Sequence, residues 1–155
     1  MHAFMEAIEN ICSLPSLATD SIHIWGVHVP DMQDHMNALQ EMLSAGEREK
    51  AARFRREADR QSSLAARGAL RVLLSGYTGM PASEIEFSYS ENGKPALVPP
   101  ASSRLCAEQG RQDACDTVSF NVSHSGDWVV LAFGRDRSIG VDIEQIKQAM
   151  DVKAI

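Results

Sequence analysis

Three apolar runs stand close together late in the chain: VSFNVS (118–123), WVVLAFG (128–134) and SIGVDIE (138–144). The spacers between them are short, with Ser125-Gly126-Asp127 following His124 in the first and Arg135-Asp136-Arg137 forming the second. Connections this short can only turn the chain back on itself, because a parallel crossover needs a dozen or more residues. The runs therefore predict a three-stranded antiparallel meander, and the rest of the chain must cover one of its faces.

Upstream, SIHIWGVHV (21–29) alternates and is rich in β-branched residues, which predicts another strand. Asp31 then caps a helix in which Met32, Met36, Leu39 and Leu43 share a face, with Gly46 as its stop. Residues 47–60 read as a charged helix anchored by Ala51 and Phe54. A further helical stripe runs through Ala66, Leu70, Leu73, Leu74 and Tyr77 and ends at Gly76 or Gly79. Pro81 opens a turn, IEFSY (85–89) reads as a strand, and Asn92-Gly93 marks a tight turn before Lys94-Pro95. Residues 99–117 read as a loop, and the chain carries no repeat or low-complexity tract. The expected fold class is α+β, with helices packed on an antiparallel sheet.

At 155 residues and 44% hydrophobic, the chain can bury a core. Its net charge of −6 argues against a nucleic-acid binder. No stretch approaches the roughly 20 apolar residues of a membrane span. The first residues hold no early Lys or Arg and include Glu6 and Glu9, unlike a signal peptide, so a cytoplasmic protein is expected, with residues 1–20 as an N-terminal extension. Cys12, Cys106 and Cys115 have no metal-site spacing and are expected to be free thiols.

The chemistry concentrates in GVDIE (140–144). Extended backbone alternates with period two, so Asp142 and Glu144 project together, and paired carboxylates repel unless a cation or proton sits between them. Hard oxygen ligands of this kind suit Mg²⁺, which takes one or two carboxylates and completes its shell with water and phosphate oxygens. The plain alternative is a solvated acidic edge. In FNVSHSGDW (120–128), Ser123 and His124 close an apolar run and offer donors to a phosphate. Gly93 and Lys94 could add a close backbone approach and a cation. A surface histidine and an ordinary hairpin glycine are the plain readings of His124 and Gly93.

Taken in order, ENGKP (91–95), FNVSHSGDW (120–128) and GVDIE (140–144), with the helical region 48–89, resemble the 4′-phosphopantetheinyl transferases of the larger, two-lobed, surfactin-synthetase-activator class. The resemblance covers about 21–146 and implies one lobe of a pseudo-twofold fold, with 147–155 beginning the connection to a C-terminal lobe. That lobe would carry a Trp-x-x-Lys-Glu motif, which this chain lacks. It implies Mg²⁺-dependent transfer of 4′-phosphopantetheine from coenzyme A to a serine of an acyl or peptidyl carrier protein. By this resemblance Asp142 and Glu144 hold Mg²⁺, His124 contacts a phosphate, Ser123 helps at the nucleotide, and Asn92, Gly93 and Lys94 lie along the adenine and its phosphates. Lys50 and Ser63 match positions that contact the 3′-phosphate. Glu47 stands where the typical member has lysine, which either weakens that clamp or moves it to Arg48, Arg53 or Arg67. A half of this kind is expected to need its second lobe and to self-associate through the face left bare. The alternative is a catalytically silent half that binds coenzyme A or a carrier protein.

Overall fold

The structure, a computed structural model, describes residues 14–91, 93–98 and 118–146. Asn92, the three cysteines, the loop expected at 99–117 and the connection at 147–155 therefore lie outside the described residues.

β1 (Ile22–His28), β4 (Val118–Ser125) and β5 (Trp128–Arg135) form one antiparallel sheet in the order β1-β5-β4. The hairpin between β4 and β5 is as expected. The third run is not a strand of this sheet: 138–146 is extended but joins no backbone ladder. β1 takes the place beside β5 that a meander would give it, because the β-branched residues of β1 add a longer apolar strand than GVDIE can.

Pairing register fixes the two faces. His23, Phe133 and Phe120 stand in one row; Trp25, Leu131 and Val122 in the next; Val27, Val129 and His124 in the third. This face is covered by the long helix α3 (Glu57–Thr78). The opposite face carries Ile22, Ile24 and Trp128 from β1 and β5, all substantially exposed, and Asn121, Ser123 and Ser125 from β4.

The helix expected from Asp31 to Gly46 is split. Pro30 opens a 3-10 helix, Val29–His35, in which Asp31 does not cap but pairs with His28 at 3.0 Å. α1 follows as Met36–Met42. Gly46 does not stop it: Ser44 ends the connection by capping α2 (Ala45–Ala52), in a reciprocal capping box with Glu47. The single charged helix expected over 47–60 also breaks, at residues 53–56, leaving Phe54 exposed rather than as an anchor. α3 then runs Glu57–Thr78 and ends where Gly79 adopts a left-handed φ of 73°. After a 3-10 turn at Ala82–Glu84, β2 (Phe87–Tyr89) and β3 (Pro95–Leu97) form a short separate hairpin, narrower than the strand expected at 85–89.

The core lies between α3 and the sheet: Leu70, Leu73, Leu74 and Tyr77 against Val27, Leu131, Phe133 and Phe120. Tyr77 reaches β1 through its hydroxyl, which accepts from Trp25 Nε1 and contacts His23 Nδ1, both at 2.8 Å. Burial raises the Tyr77 hydroxyl above its usual pKa, with the Trp25 bond opposing this. Packing begins before residue 21. Leu17 is buried in the core, Leu14 packs against it, and Arg135 Nε donates to the Leu17 carbonyl at 2.7 Å.

α1 and α3 meet at Gly68, where an added Cβ would lie 2.7 Å from Leu39 Cβ. A Cβ is fixed to the backbone, so the two helices would have to separate. Gly68→Ala should lower stability by a net of about 1–2 kcal/mol, because overpacking of roughly 1–3 kcal/mol outweighs the ~1 kcal/mol gain in helix propensity. Urea denaturation checks this; a stabilised variant would mean the helices separate freely.

Candidate functional site

α3 carries its apolar stripe to its N-terminal half, where the stripe turns polar. There Ser63, Ala66 and Arg67 line a cleft of ≈ 200 Å³ together with Val122 and His124 of β4, Phe54 and Pro95. Ser63 and His124, expected at opposite ends of the sequence region, thus share one cleft. Asp59 also lines it.

Cations gather beside this cleft on an aromatic shelf. The Arg67 guanidinium lies 5.0 Å from the Phe87 ring centre and 6.0 Å from that of Tyr89. Lys50 Nζ lies 5.8 Å from Tyr89 on its other approach. Glu47 organises the cations from within. Its Oε2 accepts from Arg71 Nε at 2.9 Å and pairs with Arg71 Nη2 at 2.8 Å, while Oε1 lies 3.4 Å from Arg67 Nε. Arg71 is almost fully buried and also donates to the Ala82 carbonyl at 2.6 Å. Arg67 Nη1 is buried with no hydrogen-bond partner among the described residues.

The three arginines Arg48, Arg53 and Arg67 differ in their surroundings. Arg48 Nη1 donates to the Leu43 carbonyl at 2.6 Å and so serves the end of α1. Arg53 pairs with Glu49 on the surface at 3.0 Å. Arg67 alone of the three lines the cleft. Phe87, Tyr89 and Arg71 had no signal in the sequence, because their role depends on how a three-residue strand lies across two helices.

On the other side of β4 the acidic segment is tied down by side chains. Asn121 Oδ1 accepts from the Val141 N–H at 3.0 Å, Ser123 Oγ from Ile143 N–H at 3.2 Å, and Ser125 Oγ from Gln145 N–H at 3.0 Å. Ser123 Oγ also donates to Asp142 Oδ1 at 2.8 Å. Ile139 anchors the start of the segment over the sheet: a Cβ at Gly134 would lie 2.7 Å from Ile139 Cδ1, so the strand leaves room for it. Lys94 Nζ donates to the Ile139 carbonyl at 3.0 Å, which joins the β2–β3 hairpin to the same segment. Gly93 turns that hairpin with a φ of 74°.

The expected residues therefore fall into two groups, one on each side of the end of β4. Ser63 and His124 share the helix-side cleft, with Lys50 near it, while Ser123, Asp142 and Glu144, reached by Lys94, lie on the far side. Asp142 and Glu144 are both exposed and, at alternate positions of an extended segment, project to one side. One oxygen of Asp142 engages Ser123, leaving the other and the whole Glu144 carboxylate for a hard cation. This donor set fits Mg²⁺. Among the described residues no three His, Cys, Asp or Glu side chains gather into a closed metal cage.

Residues 28–135 match the family described as 4′-phosphopantetheinyl transferase, N-terminal. The chain belongs to the 4′-phosphopantetheinyl transferase family. Its relatives include the 4′-phosphopantetheinyl transferase HetI of Nostoc sp., 29% identical over 90% of this chain and 54% of that protein. The phosphopantetheinyl transferase of Thraustochytrium sp. is 33% identical over 87% of this chain and 43% of its own. Sfp of Bacillus subtilis is 32% identical over 80% and 49%. The chain thus spans about half the length of these relatives. The same α+β fold is found in the holo-(acyl-carrier-protein) synthase of Bacillus anthracis, solved with CoA (3′,5′-ADP), with a TM-score of 0.53, 19% identity, and coverage of 74% of this chain and 93% of that one. The Helicobacter pylori holo-[acyl-carrier-protein] synthase, solved with coenzyme A, gives 0.51 at 17% identity, covering 75% and 100%. The family match ends at Arg135, before Asp142 and Glu144.

Truncating Glu47 should be costly for a transferase lobe of this kind. Glu47→Ala removes the partner of buried Arg71 and half of the capping box, an expected loss of about 3 kcal/mol, typical of breaking a buried ion pair. Thermal or urea unfolding tests it; a loss below about 1 kcal/mol would show that Arg71 finds full compensation at the Ala82 carbonyl.

Proposed function

We propose that this chain supplies the coenzyme-A-binding half of a Mg²⁺-dependent transferase. The enzyme moves 4′-phosphopantetheine from coenzyme A to a serine hydroxyl of an acyl or peptidyl carrier protein and releases adenosine 3′,5′-bisphosphate. The observation that carries this reading is the division at the end of β4, with phosphate donors in a cleft on one side and paired carboxylates on the other.

In the reaction the serine oxygen forms a new bond to the phosphorus that carries the pantetheine arm. The pyrophosphate P–O bond breaks, and the bisphosphate leaves with the electron pair. Such transfer depends on positioning and charge stabilisation more than on a protein nucleophile. Mg²⁺, held by Asp142 and Glu144, would neutralise the pyrophosphate and favour departure of the bisphosphate. His124, Ser63, Arg67 and Lys50 would hold the nucleotide phosphates, with the Phe87–Tyr89 shelf fixing the two cations. Gly93 and Lys94, with Asn92, would border the adenine side. A carboxylate or bound water would take the serine proton. The exposed face with Ile22, Ile24 and Trp128 is where a second lobe or copy would pack. The cytoplasm, where coenzyme A is available, is the expected compartment; no helix among the described residues is long and apolar enough to cross a membrane.

Carrier-protein loading, read by mass spectrometry on the full-length protein, tests the activity. Asp142→Asn should reduce the rate at least a hundredfold, in keeping with about 3 kcal/mol or more of lost transition-state stabilisation. Loading at the wild-type rate would overturn the metal assignment. A full-length protein that binds coenzyme A but loads no carrier protein would favour the silent binding half.

Arg67 is separable by ligand. Arg67→Gln should weaken coenzyme A about tenfold while changing 3′-dephospho-coenzyme A little, because a charge-assisted hydrogen bond to the 3′-phosphate is lost only with the first. Calorimetry with both ligands decides this; equal losses would make Arg67 a structural partner of Glu47.

A further inference from the structure

We propose that Ser123 is a positioning residue for Asp142, the middle rung of a side-chain ladder that holds the acidic segment on β4, and that its hydroxyl hydrogen serves this carboxylate and not a phosphate. The proposal rests on the reading of Asp142 and Glu144 as magnesium ligands.

The ladder follows from register. Its three rungs join residues 121 and 141, 123 and 143, and 125 and 145, each 20 apart in sequence. A constant difference means that the segment runs parallel to β4; antiparallel pairs would keep a constant sum. In an ordinary parallel ladder these amides would bond to main-chain carbonyls. Here alternate side chains of β4, all on the face away from α3, take them instead.

Ser123 is the only rung that also touches a side chain of the acidic segment. A serine hydroxyl has one hydrogen and two lone pairs. Its hydrogen goes to Asp142 Oδ1 and one lone pair receives the Ile143 N–H. A phosphate offers only acceptors at neutral pH, so Ser123 has no donor left for one while it orients Asp142. His124, its neighbour, points to the other face of β4 and lines the cleft. Two adjacent residues thus divide the work: His124 faces the phosphate side and Ser123 fixes the carboxylate. Partners that orient a metal ligand commonly change metal affinity by about 10- to 100-fold when removed.

The test compares Ser123→Ala, Ser123→Thr and Asn121→Ala with the wild-type chain. Three quantities are read: Mn²⁺ affinity by water-proton relaxation, affinity for adenosine 3′,5′-bisphosphate in chelator, and amide hydrogen exchange at Ile143 and Gln145. Ser123→Ala should weaken Mn²⁺ about tenfold and speed exchange at Ile143, with the nucleotide affinity unchanged. Ser123→Thr, which keeps the hydroxyl, should restore both. Asn121→Ala should speed exchange within the segment but cost less Mn²⁺ affinity. Lost nucleotide affinity in Ser123→Ala, with Mn²⁺ binding intact, would overturn the proposal. A wild-type chain that binds no more Mn²⁺ than Asp142→Asn would overturn the magnesium reading and the positioning role with it. In that case, exchange at Ile143 still decides the ladder: protection lost in Ser123→Ala supports it, and protection kept overturns it.

Discussion

The burial of one stripe of α3 against the β1-β5-β4 sheet determines where everything else can sit. Tyr77, Leu74 and Leu70 seat the C-terminal half of the helix on Phe133, Leu131 and Phe120. The same contact continues toward the other end of the helix with different residues. Ala66 and Ser63 replace leucine on α3, and Val122 and His124 replace phenylalanine on β4. Core grades into cleft along a single helix–strand seam, so the position of the polar residues follows from apolar packing. A site built this way is held by a rigid scaffold, which positioning chemistry requires.

Charge on the helix side is arranged around one carboxylate. Glu47 caps its own helix, takes two bonds from buried Arg71 and faces Arg67. A lysine there, as the family resemblance would place it, would add a third cation to two arginines already close together. In this structure the positive charge at the cleft comes from α3 through Arg67, and Glu47 lies against it as the compensating acid. Phe87 and Tyr89 complete the arrangement by giving the guanidinium a flat surface instead of water.

Much of this was legible in the chain. The α3 stripe and its glycine stop, β1, and the β4–β5 hairpin each have strong local periodicity or turn chemistry, and each formed as expected. Ser123, His124, Asp142 and Glu144 were visible as motifs. What failed had competing local signals. Asp31 looked like a cap, but Pro30 and His28 favour a 3-10 turn. Gly46 looked like a stop, but Ser44 with Glu47 is a stronger start. The charged run 47–60 could not reveal its break, since neither half has an apolar stripe to fix it. GVDIE alternates like a strand, yet its amides are taken by side chains, and sequence alternation reads the same in either case.

That substitution of side-chain rungs for a backbone ladder bears on how the two sides of β4 communicate. A backbone ladder would make the acidic segment a fourth strand, fixed by the cooperative stability of the sheet. Three side-chain bonds, partly exposed, fix it less firmly, each contributing on the order of 1 kcal/mol. The segment can therefore shift without disturbing β4 or the cleft behind it. Lys94 adds a tie from the β2–β3 hairpin, whose other residues carry the aromatic shelf under Arg67. The hairpin, like β4, touches both sides: Phe87 and Tyr89 of its first strand lie against Arg67, and Lys94 at its turn holds the Ile139 carbonyl at the start of the acidic segment.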